Sequence, residues 1–204
     1  MTTRAPEEAT VAPRVLVLGF GNPGRLDDGL GPALAAAVRD RGLPGVTVES
    51  NYQLSVEDAA EVARHDVVIF ADAHVSCEAP FVFQRVAPRR QESFSSHSLR
   101  PDAVLGLALD LFSGNTSGYL LGIRGHAFNE FEERLSEAAR ANLDAALSFV
   151  IRLLEQADRD LFAQAADAFG AALSLREPPG IVAELARTST SEGPRSDAKQ
   201  RGEP

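Results

Sequence analysis

The sequence predicts an α/β fold, a three-layer α/β/α sandwich built on a twisted and mainly parallel sheet. Two apolar runs, Val15–Leu18 and the segment 66–72, are typical of strands that are buried on both faces. Segments with apolar residues at helical spacing alternate with such runs, as expected when helices connect parallel strands. The chain has 204 residues, of which 44% are apolar, so it can form one such domain with tails.

The elements follow in chain order. The first strand ends at Gly19, and a helix begins between Gly29 and Pro32, because proline is tolerated only in a first helical turn, and stops near Gly42. Further along, the pattern predicts strands at 45–49, 66–72, 81–86 and 119–123. It also predicts a short helix opened by Ser55, a helix from Pro101 and a long helix capped by Ser136. A further helical segment at 161–173 either extends the long helix or packs separately.

Composition sets the domain limits and excludes several functions. We predict a main domain over 14–155, a C-terminal helical extension over 156–177 and flexible tails at 1–13 and 178–204, where Pro, Gly, Ser, Thr and charged residues dominate. The net charge of −9 disfavours nucleic acid as a partner, and no apolar run is long enough to span a membrane. Cys77 is the single cysteine, which excludes an internal disulfide. Without a secretory leader, we expect a cytoplasmic protein.

A glycine-rich loop follows the first strand, and its segment 19–24 (GFGNPG) satisfies the dinucleotide pattern GxGxxG. Three features argue against a nucleotide. Pro23 lacks an N–H group that a pyrophosphate would need, Asp27 and Asp28 bring negative charge, and the helix begins too late. Glu49 could still imitate the acid that binds a ribose, so a dinucleotide-binding module stays an alternative.

The same loop has a second interpretation, in which its residues shape a site. Glycines beside acids allow other backbone or a bulky partner to approach closely. We therefore regard Gly19, Gly21, Asn22, Asp27 and Gly29 as residues that shape the loop or contact a substrate. Asp27 is either a general base or a helix cap.

Three polar residues on separate loops form a candidate catalytic and metal-binding set: Asp28, Asp72 and His97. Asp28 follows the first strand and Asp72 ends the second buried strand, so both should lie at the carboxyl edge of the sheet, where ligands bind. Their oxygen and nitrogen donors suit nickel, zinc, manganese or iron(II). Taken singly, Asp72 could only cap a loop and His97 could be an exposed loop residue; His74 is a weaker candidate.

The strings VLGFGNPGRLDDGLG, VVIFADA, SSHSLRPDAVLGLA and YLLGIRG together resemble the hydrogenase maturation proteases over about residues 14–155. The resemblance implies a three-layer, phosphorylase/hydrolase-like fold and an endopeptidase that removes the C-terminal extension of a [NiFe]-hydrogenase large-subunit precursor. It places the metal triad on Asp28, Asp72 and His97 and implies that the nickel is carried by the substrate. The turn is also similar to that of peptidyl-tRNA hydrolase, but the catalytic segment expected after it is replaced by Arg25–Asp28.

Overall fold

The computed structural model describes residues 12–90 and 99–174. A five-stranded sheet in the order β2-β1-β3-β5-β4 forms the centre of the molecule. Only β4 runs antiparallel to its neighbour. The strands are β1 (Val15–Phe20), β2 (Val46–Asn51), β3 (Val67–His74), β4 (Phe81–Val86) and β5 (Ser117–Arg124). The helices are a 3-10 helix (Leu26–Gly29), α1 (Leu30–Arg39), α2 (Asp58–Val62), α3 (Pro101–Phe112), α4 (Glu137–Gln156) and α5 (Arg159–Ser174).

The sheet is covered on both faces, which confirms the predicted three layers. Alternate residues of β3 point to opposite faces: Ile69 packs with α1, α4 and α5, and Phe70 packs with α2 and α3. Both side chains are fully buried. The two apolar clusters explain why β1 and β3 are continuous apolar runs, since neither face of these strands meets water.

Several predicted boundaries are confirmed. The bounds of β2, β3 and β5 differ from the prediction, and α2 begins at Asp58 with Glu57, not Ser55, as its N-cap. Helix α1 begins at Leu30, and Ser136 caps α4 by accepting a hydrogen bond from the N–H of Ala139. The segment after α4 is a separate helix, because Ala157 adopts a left-handed conformation that ends α4. β2 extends past Glu49 to Asn51, and β3 extends past Asp72 to His74. Both strands continue because their neighbours, β1 and β5, supply pairing partners that far along.

Close contact between α1 and the sheet depends on two glycines. A Cβ atom on Gly19 would lie 2.3 Å from the carbonyl oxygen of Gly31, and one on Gly31 would lie 2.3 Å from that of Phe20. No side chain fits at either position without moving backbone. The close neighbour that the absence of a side chain at Gly19 accommodates is therefore the protein's own helix α1.

The strand order creates a crevice at the carboxyl edge. From β1 the chain passes through α1 on one face to β2, and from β2 through α2 on the other face to β3, which lies on the far side of β1. Open α/β sheets bind ligands where the chain changes direction in this way, outside the carboxyl ends of the strands. The loop after β1 and the end of β3 meet at that place.

Candidate functional site

The loop after β1 is closed by its own hydrogen bonds. The N–H of Gly21 donates to the carbonyl of Asn51, that of Asn22 to Asp28 Oδ2, and that of Gly24 to Asn22 Oδ1, at 2.9–3.1 Å. The N–H of Arg25 donates to the carbonyl of Asn22. A pyrophosphate needs free N–H donors at such a turn. Each of these donors is occupied, and Pro23 has none, so the geometry argues against a dinucleotide site.

Glycines give this loop its tight shape. Gly21 has φ +132°, a conformation that residues with side chains rarely adopt, and a Cβ there would lie 2.1 Å from the carbonyl oxygen of Asp28. A Cβ on Gly29 would lie 3.0 Å from the Cα of Pro23. Asn22 closes the turn through its side chain, an arrangement typical of asparagine in turns. These residues hold Asp28 in place rather than leaving room for a partner.

Asp28 lies in the 3-10 helix, which contacts β3, the strand that carries Asp72. Burial, together with the negative charge of Asp28, raises the pKa of Asp72 to about 7, although the hydrogen bond from the N–H of Ala73 opposes the shift. Asp72 Oδ1 accepts the N–H of Ala73 at 2.7 Å, and Asp28 Oδ2 accepts the N–H of Asn22. Within the described part of the chain, no donor bonds the other oxygen of either carboxylate. Two half-buried carboxylates with free oxygens suit a proton or a divalent cation between them.

Asp27 has a structural role and does not cap the helix after β1. Its side chain is fully buried. Oδ2 accepts the N–H groups of His126 and Ala127 and the hydroxyl of Ser136, and Oδ1 accepts the N–H of Ser136, all within 2.7–2.9 Å. Burial alone would raise the pKa of Asp27, but these hydrogen bonds lower it below its usual value. The carboxylate holds the loop between β5 and α4 and is not free to take a proton.

The described histidines make local contacts. His65 is buried and bonds the carbonyl of Glu61 and the hydroxyl of Thr47 through its two ring nitrogens. His74 lies at the end of β3, two residues beyond Asp72, and its Nδ1 accepts the N–H groups of Ser76 and Cys77. Burial and the nearby Arg124 lower the pKa of His74 and favour the neutral ring. His126 bonds the Asn142 side chain through Nε2 at 3.4 Å.

His97 lies outside the described residues, so the third member of the predicted set stays a prediction. Two residues later, Leu99 donates its N–H to the carbonyl of Leu54, just after β2, and packs in the same cluster as Phe70. Among residues 12–90 and 99–174, no three His, Cys, Asp or Glu side chains are grouped to hold a metal ion. The described part of the proposed centre therefore consists of Asp28 and Asp72.

Sequence reasoning missed the loop 125–136 as part of this region. A Cβ on Gly125 would lie 2.5 Å from the ring of Phe128 and 3.0 Å from the Cβ of Asp27. The N–H of Leu26 donates to the carbonyl of Glu132 at 3.0 Å, and Arg25 and Glu132 form an isolated bridge. The periodicity of apolar residues cannot reveal these contacts, since about a hundred residues of sequence separate Arg25 and Leu26 from Glu132. The one local hint was Gly125, placed directly after a buried strand.

Fold and site together define a three-layer, doubly wound α/β protein with paired acids at its switch point. The chain matches no protein-family model and no curated protein. Solved structures do match it. A [NiFe] hydrogenase maturation protease, HycI, from Thermococcus kodakarensis KOD1 aligns with a TM-score of 0.53 and 22% identity over 70% of this chain and 92% of its own.

Two further structures give the same result. The hydrogenase maturating endopeptidase HybD from E. coli aligns with a TM-score of 0.52 and 24% identity, over 70% of this chain and 93% of its own. The hydrogenase 2 maturation peptidase from a Thaumarchaeota archaeon aligns with a TM-score of 0.52 and 23% identity, over 69% of this chain and 97% of its own. This chain therefore has the fold of the hydrogenase maturation proteases. None of its described helices has the length and apolarity to span a membrane.

Proposed function

We propose that this protein is an endopeptidase that removes the C-terminal extension of a nickel-loaded [NiFe]-hydrogenase large-subunit precursor. The observation that carries the proposal is the pair Asp28 and Asp72, whose charges interact at the switch point of a fold shared with such proteases. The resemblance of the sequence motifs to the same family adds to this support. The reaction is the hydrolysis of one peptide bond, in which water adds across the carbonyl and the amine leaves with a proton.

The residues fit a divalent cation by their chemistry. Burial is the main cause of the raised pKa of Asp72, and the negative charge of Asp28 adds to it. A cation bound by both carboxylates would offset both effects. We propose Asp28, Asp72 and His97 as the ligands. Bound there, a cation would polarise the scissile carbonyl.

We further propose that nickel arrives as part of the substrate. Two carboxylates and one imidazole without a thiolate make a modest binding site, so the protein alone should retain divalent ions weakly. The site would then engage precursor that already carries nickel. The other assignments that go with this proposal are a protein partner, no nucleotide cofactor and a cytoplasmic location.

The test uses purified protein and hydrogenase large-subunit precursor prepared with and without nickel. Mass spectrometry of the precursor should show loss of a C-terminal fragment only for the nickel-loaded form, with no metal added to the protease. Asp72→Asn and His97→Ala should abolish cleavage. Glu49→Gln is the matched control, because Glu49 is another half-buried acid whose pKa is raised by burial and by neighbouring acids, but it lies in a different cleft. Efficient cleavage of nickel-free precursor would contradict the assignment of nickel to the substrate.

The dinucleotide alternative makes an opposite prediction, since it requires NAD or FAD to bind at the loop after β1. The occupied N–H groups of that loop weigh against it. Titration of the protein with the fluorescent cofactor NADH, or with FAD, should show no saturable binding. Micromolar binding that Asp28→Ala strengthens would support the alternative.

A further inference from the structure

A pocket of about 520 Å³ is lined mainly by the loop after β5, together with two residues that lie close in sequence to Asp28 and Asp72. Its lining combines four apolar residues, Leu26, Val75, Ala127 and Phe128, with the polar or charged residues His126, Asn129, Glu130, Arg134 and Ser136. We call it the Leu26 pocket. A concave site that combines apolar side chains with polar groups is typical of sites that bind small molecules or single side chains. Its size lies within the range of about 300–1,000 Å³ common to such sites.

Two residues that line the pocket are close in sequence to the two acids of the proposed site. Leu26 precedes Asp28 by two residues, and Val75 follows Asp72 by three. Val75 is 60% exposed at the mouth, whereas Leu26 is only 7% exposed. A polypeptide whose scissile bond lies at the two acids would therefore pass this opening within a few residues.

The walls of the pocket are fixed before any ligand binds. Leu26 adopts φ 49°, a left-handed conformation that is unfavourable for a bulky residue. Its N–H is bonded to Glu132, and the next residue, Asp27, is bonded to the loop that carries Phe128. Gly125 leaves the space in which the Phe128 ring lies. Strain of this kind is concentrated at functional sites, where the surroundings hold it in place.

We infer that the Leu26 pocket binds an apolar side chain of the polypeptide that is cleaved, within a few residues of the scissile bond. This inference rests on the proposed function, since it takes the acids to be the place of cleavage. Leu26 and Phe128 receive the side chain, and Val75 contacts it at the mouth. The pocket thereby selects which segment of a protein lies across Asp28 and Asp72.

The first experiment tests the pocket without any protease substrate. N-acetyl-leucine methylamide is titrated into protein with ¹³C-labelled methyl groups, with N-acetyl-asparagine methylamide as the polar probe. Methyl signals of Leu26, Val75 and Ala127 should shift saturably with the leucine probe in the millimolar range and not with the asparagine probe. Val75→Asn should weaken that binding about tenfold, as expected when an apolar contact is replaced by a polar one. Equal shifts with both probes, or none at the pocket, would overturn the inference.

The second experiment measures precursor cleavage. Val75→Asn should raise KM about tenfold with little change in kcat, because Val75 contacts the substrate away from the reacting atoms. Val56→Asn is the matched control: Val56 is also exposed, at 37%, but does not line this pocket, so KM should not change. If the wild-type protein cleaves no precursor, the proposed function fails while the methyl titration still decides whether the pocket binds apolar side chains. Unchanged KM in an active Val75→Asn protein would count against the inference.

Discussion

Asp27 accepts both the backbone N–H of Ser136, at 2.7 Å, and its hydroxyl, at 2.8 Å, and so ties the loop after β1 to the first turn of α4. The charge of the adjacent Asp28 acts on Asp72 instead. Two consecutive aspartates thus have separate roles. The first organises the structure, and the second belongs to the proposed active site.

Asp27→Ala should destabilise the protein strongly. The substitution removes the buried carboxylate that accepts the N–H groups of His126, Ala127 and Ser136. Loss of a charged, buried acceptor of this kind typically lowers the free energy of unfolding by about 3–5 kcal/mol. Asp27→Asn should lose less, since one amide oxygen still accepts. Urea unfolding monitored by circular dichroism measures the change. A loss below about 1 kcal/mol for the alanine variant would show that Asp27 is not the anchor described.

Acid should weaken the same anchor. Because the pKa of Asp27 is lower in the folded state than in the unfolded chain, its contribution to the free energy of unfolding is complete above about pH 4 and is lost as pH falls through the folded pKa. The difference in stability between wild type and Asp27→Asn should shrink over that interval. Unfolding midpoints measured from pH 6 to pH 2.5 give the comparison. A difference that is constant over the whole range would contradict the assignment.

Asp72→Asn should remove activity and increase stability. The pKa of Asp72 is raised to about 7, so ionisation of this residue destabilises the folded state progressively as pH rises from about 4 to about 7. The neutral amide avoids the repulsion from Asp28. For a half-buried group we expect a gain on the order of 1 kcal/mol at pH 8 and little at pH 4. Thermal unfolding at the two pH values is the measurement, and equal effects at both would refute this explanation.

Divalent cations should act on the same pair. At pH 8, millimolar Ni²⁺ or Zn²⁺ should raise the unfolding temperature of the wild type slightly, because a cation that binds only the folded state stabilises it. Asp72→Asn should respond less than the wild type, and Glu49→Gln should respond as the wild type does. Differential scanning fluorimetry detects the shifts. An equal response of wild type and Asp72→Asn would place the bound ions elsewhere.

Gly31→Ala should disrupt the contact between α1 and the sheet. The new methyl group would lie 2.3 Å from the carbonyl oxygen of Phe20 and 2.4 Å from that of Ala71, so backbone must move at a cost of about 3 kcal/mol. Gly170→Ala is the matched control, as Gly170 lies in α5 with nothing within 4 Å of an added Cβ. There alanine should stabilise the helix by about 0.5–1 kcal/mol. Equal effects of the two substitutions on the unfolding midpoint would contradict this account.

Periodicity and capping residues were sufficient to predict the layers and most elements of this fold. The continuous apolar runs at Val15–Leu18 and before Asp72 are typical of strands buried on both faces, and both are such strands. Ser136 caps a helix through a contact with a residue close to it in sequence. The ends of β2 and β3 were misplaced because their last residues are held by pairing with neighbouring strands, a contact between distant parts of the chain. Strand pairing beyond the apolar run has no local signal.

The candidate site was predictable to a similar degree. Asp28 and Asp72 could be placed at one edge by topology alone, since both follow parallel strands. The role of Asp27 could not be predicted, because its partners lie about a hundred residues away and two of them, His126 and Ala127, contribute only backbone N–H groups. Any residue type supplies an N–H, so no pattern marks the partner.

The hydrogen bond between the N–H of Asn22 and the carboxylate of Asp28 has a consequence for how glycine motifs are interpreted. The turn in this protein carries its own anion: the carboxylate of Asp28 accepts an N–H that a bound phosphate would accept in a nucleotide-binding protein. A search by glycine spacing alone would therefore assign chains of this kind to the dinucleotide binders. An acid six residues after the asparagine distinguishes a turn that already contains its negative charge from one that must recruit it.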